Sequence, residues 1–168
     1  MLHDELVQDL FQMFANAVGV PMAIIDLEAN VLASSRWQRV CTDFHRVHDR
    51  ACANCIESDT RLALELKEGQ EFTIYRCKNG MTDCASPILI NGQHVANVFI
   101  GQFHLTQPDH EFFRRQAAEL GFATEAYLAA VREAPVMDEA KLPHILGFLA
   151  RFSRLIGSLA VKQLHMRL

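Results

Sequence analysis

An Asn-Gly pair at positions 91 and 92 stands between two runs rich in apolar and β-branched residues, Thr82–Ile90 and 93–105. The tight turn that matches strand twist needs positive φ at both central positions, which Asn and Gly tolerate, so this pair predicts an antiparallel hairpin. A chain committed to such a hairpin has to extend its sheet from there. Shorter apolar runs supply the rest: Met22–Asp26 and 31–34 flank the connection Leu27-Glu28-Ala29-Asn30, and 72–77 precedes the hairpin. Together these runs predict an antiparallel sheet of about five strands.

Helices surround the strands. Leu6, Leu10, Phe14, Ala17 and Val18 recur at helical spacing before Gly19-Val20-Pro21, which predicts a helix over 2–18. The segment 40–67 has helical composition with a break near Asp49-Arg50 and a helix over 57–67 ended by Gly69. Pro108 closes the sheet region 22–105, and the rest, 109–168, divides into helices at 109–120, Thr124–Glu133 and 138–168. Thr124 and Asp138 serve as helix starts. Along the last helix Leu142, Ile145, Leu149, Phe152, Ile156, Leu159, Gln163 and Met166 alternate steps of three and four, a heptad seam. Such a stripe serves equally to pack a helix on its own domain or to join two copies. If the first helix lies beside the last, the two ends form a dimerisation stalk. The fold class is α+β, with 1–168 as a single domain.

A chain of 168 residues, half of them hydrophobic, is long enough for one such core. Its net charge of −4 leaves no basic stripe for phosphates, so direct nucleic-acid binding by this segment is not expected. No apolar run approaches the ~20 residues needed to cross a bilayer, and the amino terminus lacks the basic start of a signal peptide. The expectation is a cytoplasmic protein with no membrane partner.

In that setting five cysteines argue against a disulfide framework. Cys52 and Cys55 form a C-x-x-C pair, with Cys41 before and Cys77 after it; His45 and His48 lie between as spare ligands. Thiolates at this spacing suit zinc first and an iron–sulfur cluster as the alternative. A Cys52/Cys55 dithiol switch and simple packing stay open beside the metal, and Cys84 reads as a packing residue. No nucleophile elbow, phosphate-binding loop, His-Glu-x-x-His or dinucleotide fingerprint is present, so an enzyme is not expected; three thiolates and a water on zinc would be the exception.

Four stretches together resemble the PocR sensory domain family: WQRVCTDFH from Trp37 to His45, CANCIESD from Cys52 to Asp59, YRCKNGMTDCASPI from Tyr75 to Ile88, and GQF from Gly101 to Phe103. The resemblance covers about 6–159. It implies a PAS/GAF-like fold and a small-molecule sensor of bacterial and archaeal signalling proteins, binding short diols or other simple hydrocarbon derivatives. It places Cys41, Cys55 and Cys77 at recurrent cysteine positions and Cys52 in the subset with a full C-x-x-C. The sequence departs at Met81 and Cys84, where the family tends toward Leu and a small residue.

Independently, a sheet with helices on one face leaves an apolar concavity that needs a few polar anchors. The candidates are Trp37, Phe44, His45, Asp59, Tyr75, Asn97 and Gln102. Gln102 offers both a donor and an acceptor, and Trp37 an apolar wall with one N–H.

Overall fold

A computed structural model describes residues 5–66 and 70–166. The start of the first predicted helix at 2–4, the stop at Gly69 and residues 167–168 lie outside the described residues, as do the side chains of Leu6 and Gln163.

Five antiparallel strands make one open sheet: β1 (Met22–Asp26), β2 (Val31–Ser35), β3 (Thr73–Arg76), β4 (Thr82–Ile90) and β5 (Gln93–Phe103). Their order is β2-β1-β5-β4-β3, so the predicted β4–β5 hairpin forms the middle and the β1–β2 hairpin adds to its β5 side. Asn91 and Gly92 take φ of 50° and 77° between Ile90 and Gln93, which pair directly. The α+β, PAS-like architecture follows from this sheet and the helices on its two faces.

Alternation decides which face each helix covers. Met22 and Ile24 of β1, Ala96, Val98 and Ile100 of β5, and Cys84 and Ile88 of β4 share one face. That face is covered by α1 (Glu5–Val18), through Phe11 and Ala15, and by α5 (Leu142–Met166), through Leu149 and Ile156. The hydroxyl of Ser153 on α5 meets that of Ser86 on β4 at 2.8 Å. At the edge of the interface the Phe14 and Phe148 rings stack 3.9 Å apart, which sets α1 against α5. The predicted seam therefore divides: Leu142, Leu149 and Ile156 are buried against the domain's own sheet, while Leu159 and Met166 remain exposed. By length and composition alone 139–162 could cross a bilayer; a third of it is buried in the protein.

The opposite face, with Ala23, Ile25, Ala85 and Phe99, is crossed by the chain on its way from edge strand β2 to the other edge strand β3. The crossing contains a π-helix at Val40–His45 and then α2 (Asp49–Leu66). Its break falls at Arg46–His48, earlier than the sequence places it, and α2 runs unbroken from Asp49 through 57–66, most of the helix predicted separately over 57–67, with 67 outside the described residues. The π-helix closes on the i to i+5 bond from Arg46 N to Cys41 O, 2.8 Å long. Cys55, Asp59, Leu62 and Leu66 recur at steps of three and four, so one stripe of α2 faces the sheet.

After the sheet, α3 (His110–Leu120) and α4 (Thr124–Glu133) pack beside the π-helix around Tyr127, Phe113 and Leu128. Asp109 caps α3 by accepting from Glu111 N and Phe112 N. Asp138 likewise caps a single 3-10 turn, Glu139–Lys141, before α5.

Candidate functional site

The crossing segment and the sheet enclose a cavity of about 30 Å³. Its floor is Ala23 and Ile25 of β1, Phe99, Gly101 and Gln102 of β5 and Asp83 of β4; its roof is Trp37, Cys41, His45 and Arg46 with Cys55 and Asp59 of α2. Cys77 and Met81 close the end next to the β3–β4 turn. In this closed form the space suits one or two waters.

Arg46 and Asp59 guard the cavity as an ion pair, Nη2 to Oδ2 2.7 Å. The guanidinium also lies over the Trp37 ring, 5.2 Å from its centroid. The hydroxyl of Tyr75 reaches Asp59 Oδ1 at 3.5 Å from outside the cavity. Burial raises the Asp59 carboxyl despite the opposing pull of Arg46.

Beneath Cys41 a neutral hydrogen-bond chain runs into the helical cluster. Burial first, and the Arg46 charge second, lower the His45 imidazole to about 4, so it is uncharged at neutral pH. Gln116 Nε2 donates to Tyr127 Oη at 2.7 Å, and that hydroxyl stands 2.8 Å from His45 Nε2. With Gln116 donating, the network assigns the Tyr127 proton to His45 Nε2 and the ring proton to Nδ1, which faces Cys41 Sγ at 3.9 Å. The i, i+4 spacing of Cys41 and His45 suits the wide turn of the π-helix, which turns both side chains toward the sheet.

Three of the four predicted metal ligands, Cys41, Cys55 and Cys77, line this cavity; Cys52 is not on its wall. Burial raises all three thiols, Cys55 to about 11 and Cys77 to about 12. They serve as hydrogen-bond partners in the protonated protein: Asn79 Nδ2 donates to Cys55 Sγ at 3.2 Å and Met81 N to Cys77 Sγ at 3.3 Å. Among the described residues no three His, Cys, Asp or Glu side chains are arranged to hold a metal ion.

A family model described as the sensory domain found in PocR matches residues 1–161. The chain belongs to this family. Among curated proteins it is 29% identical over 105 residues to the regulatory protein PocR of Salmonella typhimurium, a stretch that is 62% of this chain and 35% of that protein. This PocR sensory domain thus aligns with about a third of the length of that relative.

Within the PocR domain the cavity gathers Trp37, His45, Asp59 and Gln102 of the seven sequence-derived anchors. Gln102 Oε1 accepts from Gln38 N at 2.9 Å, which fixes its amide at the floor. Tyr75 stands one residue away, behind Asp59. Phe44 is turned away by its place in the π-helix and packs on Phe122 and Tyr127. Asn97 points to the correct face of the sheet but further along β5, where it accepts from His94 Nε2 at 2.7 Å.

The sequence reading did not nominate Asp83, Arg46 or Gly101 for the site, and it singled out Met81 only as a departure from the family pattern. Asp83, in the quoted stretch Tyr75 to Ile88, pairs with Gly101 and lies on the floor. A roomier cleft of about 570 Å³ lies at the free end of β4, between Ser86, Pro87, Leu89 and α5 residues Ser153, Arg154 and Gly157. It holds none of the anchors, whereas the small cavity collects the groups with perturbed titration.

Proposed function

We propose that this PocR sensory domain binds a small uncharged organic molecule, a short diol or similar hydrocarbon derivative, in the cavity between sheet and π-helix, and acts as a binding module rather than a catalyst. The observation that carries this reading is a small, mostly apolar cavity whose polar residues, Asp59, Asp83, Gln102 and Arg46, line one space. Occupancy requires the side chains at the roof to move apart, since binding sites for organic ligands are larger than the closed chamber. Met81 is the wall residue best able to repack. A signalling role in the cytoplasm, as part of a larger regulator, fits the name of its relative. A homodimer through α1 and α5 is supported by Leu10, Met13, Leu155 and Leu159, which are exposed on those helices.

The test is thermal denaturation across a panel of diols, alcohols, aldehydes and short acids. Saturable stabilisation growing with the logarithm of ligand concentration is expected for at least one neutral member. No shift at millimolar concentration across the panel would remove the ligand reading.

A bound metal, zinc first and an iron–sulfur cluster second, is a separate reading favoured by the shared wall of Cys41, Cys55 and Cys77. It requires these thiols to lose their protons and Cys52 to turn inward. Metal content measured on anaerobically purified protein decides it: one zinc per chain or a visible iron band supports it, and metal-free folded protein ends it.

A further inference from the structure

Asp83 sits on β4 opposite Tyr75 of β3 and Gly101 of β5, with its carboxyl on the cavity wall. Asp83 is half-buried, and it lines the cavity together with Asp59, Gln102 and Gly101. Among the described residues no hydrogen bond or salt bridge is made to this carboxyl. A half-buried carboxyl with no partner in the protein is left free to meet a group that is not part of the chain.

The strand opposite is shaped to leave it room. Gly101 has φ of 145°, and β4 slips register against β5 between Thr82 and Asp83. A Cβ at position 101 would strike Asp83 Oδ1, and would lie 2.8 Å from both Asp83 Cα and Thr82 O. Only glycine lets the carboxyl lie over β5 and face the chamber.

We propose that Asp83 is a ligand-reading residue of this cavity: its carboxyl hydrogen-bonds a neutral, hydroxylated small molecule, and Gly101 keeps the carboxyl free to do so. The inference rests on the ligand reading of the cavity and adds the group that recognises the ligand and the charge it selects. A carboxylic acid donates one hydrogen bond and accepts another, which is what a hydroxyl group can answer. An anionic ligand would place a second negative charge beside Asp59 and Asp83. A cationic ligand would instead require the ionised form of Asp83 in a closed apolar chamber.

The neighbours of Asp83 set the pH at which this contact fails. Burial first, then the like charge of Asp59 on α2, push Asp83 up to about 8, against the opposing pull of Arg46. Tyr75 on β3, Cys41 on the π-helix, Cys55 on α2 and Cys77 in the β3–β4 turn are all raised by burial, so none is more readily ionised than usual. His45 is neutral above about 4. Asp59 is held in its ion pair with Arg46.

The experiment uses three probes of one size and different charge: propane-1,2-diol, lactate and 1-aminopropan-2-ol, titrated calorimetrically against the chain between about pH 6.5 and pH 9.5. The diol is expected to bind and lactate is not. Affinity for the diol should fall at least about tenfold across the range as the carboxyl ionises. Asp83→Asn keeps a neutral donor and acceptor of the same shape, so it should bind the diol with little pH dependence. Asp83→Ala should lose about tenfold or more at the acid end, with its fold checked by circular dichroism.

Wild-type binding that is unchanged in Asp83→Ala, or a pH dependence that persists in Asp83→Asn, overturns the role of Asp83 and leaves the ligand reading standing. Preferred binding of the amine, strengthening with pH, overturns the charge assignment. A wild-type chain that binds none of the three removes the diol reading itself, and the role of Asp83 with it.

Discussion

Replacing Gly101 with alanine should destabilise the domain by about 2–6 kcal/mol, the sum of a strained backbone and an overpacked strand contact, each worth roughly 1–3 kcal/mol. The backbone at 101 has φ of 145°, which side-chain-bearing residues rarely adopt. The added methyl would also meet the backbone at Asp83 Cα and Thr82 O, which, unlike the Asp83 carboxyl, cannot swing aside. At roughly 2–4 °C per kcal/mol for a chain of this size, the melting temperature should drop by about 10 °C. A melting curve within about 2 °C of the wild type would mean that β4 and β5 can separate here without loss, and that the register slip is not a fixed feature.

Arg46→Met carries the second large effect. Removing one partner of a buried pair leaves the other as an uncompensated charge, which costs about 3–5 kcal/mol when both are fully enclosed. Arg46 keeps 19% of its side-chain surface exposed and Asp59 9%, so the lower end, about 3 kcal/mol, is expected. The loss should depend on pH. Burial already raises the Asp59 carboxyl above its unfolded value, and without Arg46 it rises further.

A carboxyl raised in the folded state binds more protons there than in the unfolded chain, so its folded form is favoured at low pH and loses ground as pH rises. Denaturant melts should therefore show a small deficit for Arg46→Met near pH 5 and the full deficit near pH 8. Adding Asp59→Asn to the variant removes the stranded charge and should recover about half or more of the loss. A deficit that is flat with pH would show that Arg46 acts through its packing on Trp37 instead.

The sheet was legible because each strand announces itself locally: an apolar run and a turn whose residues accept its dihedral angles. The Asn91-Gly92 turn set the register of the central hairpin, and the remaining strands had to pair around it. The π-helix was not legible, since 40–45 has the same composition as an α-helix and differs only by one residue per closing bond. That difference matters for the site. It is why His45 faces the cavity while its neighbour Phe44, nominated with it, faces the helical cluster.

Asp83 shows the other limit of the sequence. Whether a strand acid points to water or into a closed chamber depends on what crosses the sheet above it, here a segment contributed from some forty residues earlier in the chain. The four cysteines were visible as a group, and three do converge. Spacing alone could not say that Asn79 and Met81 would supply hydrogen bonds to two of them.

The route of the chain over the sheet limits how the chamber can open. The segment above it leaves β2 at one margin of the sheet and arrives at β3 at the other, so it is stitched down at both ends. A flap secured on two sides cannot swing like a door. If the cavity takes a ligand as proposed, the stack of Trp37 on Arg46, tied to Asp59, stands at its side as the natural window. On that reading the same residues would both admit the molecule and touch it, so a change that stiffened this latch would slow arrival and departure together.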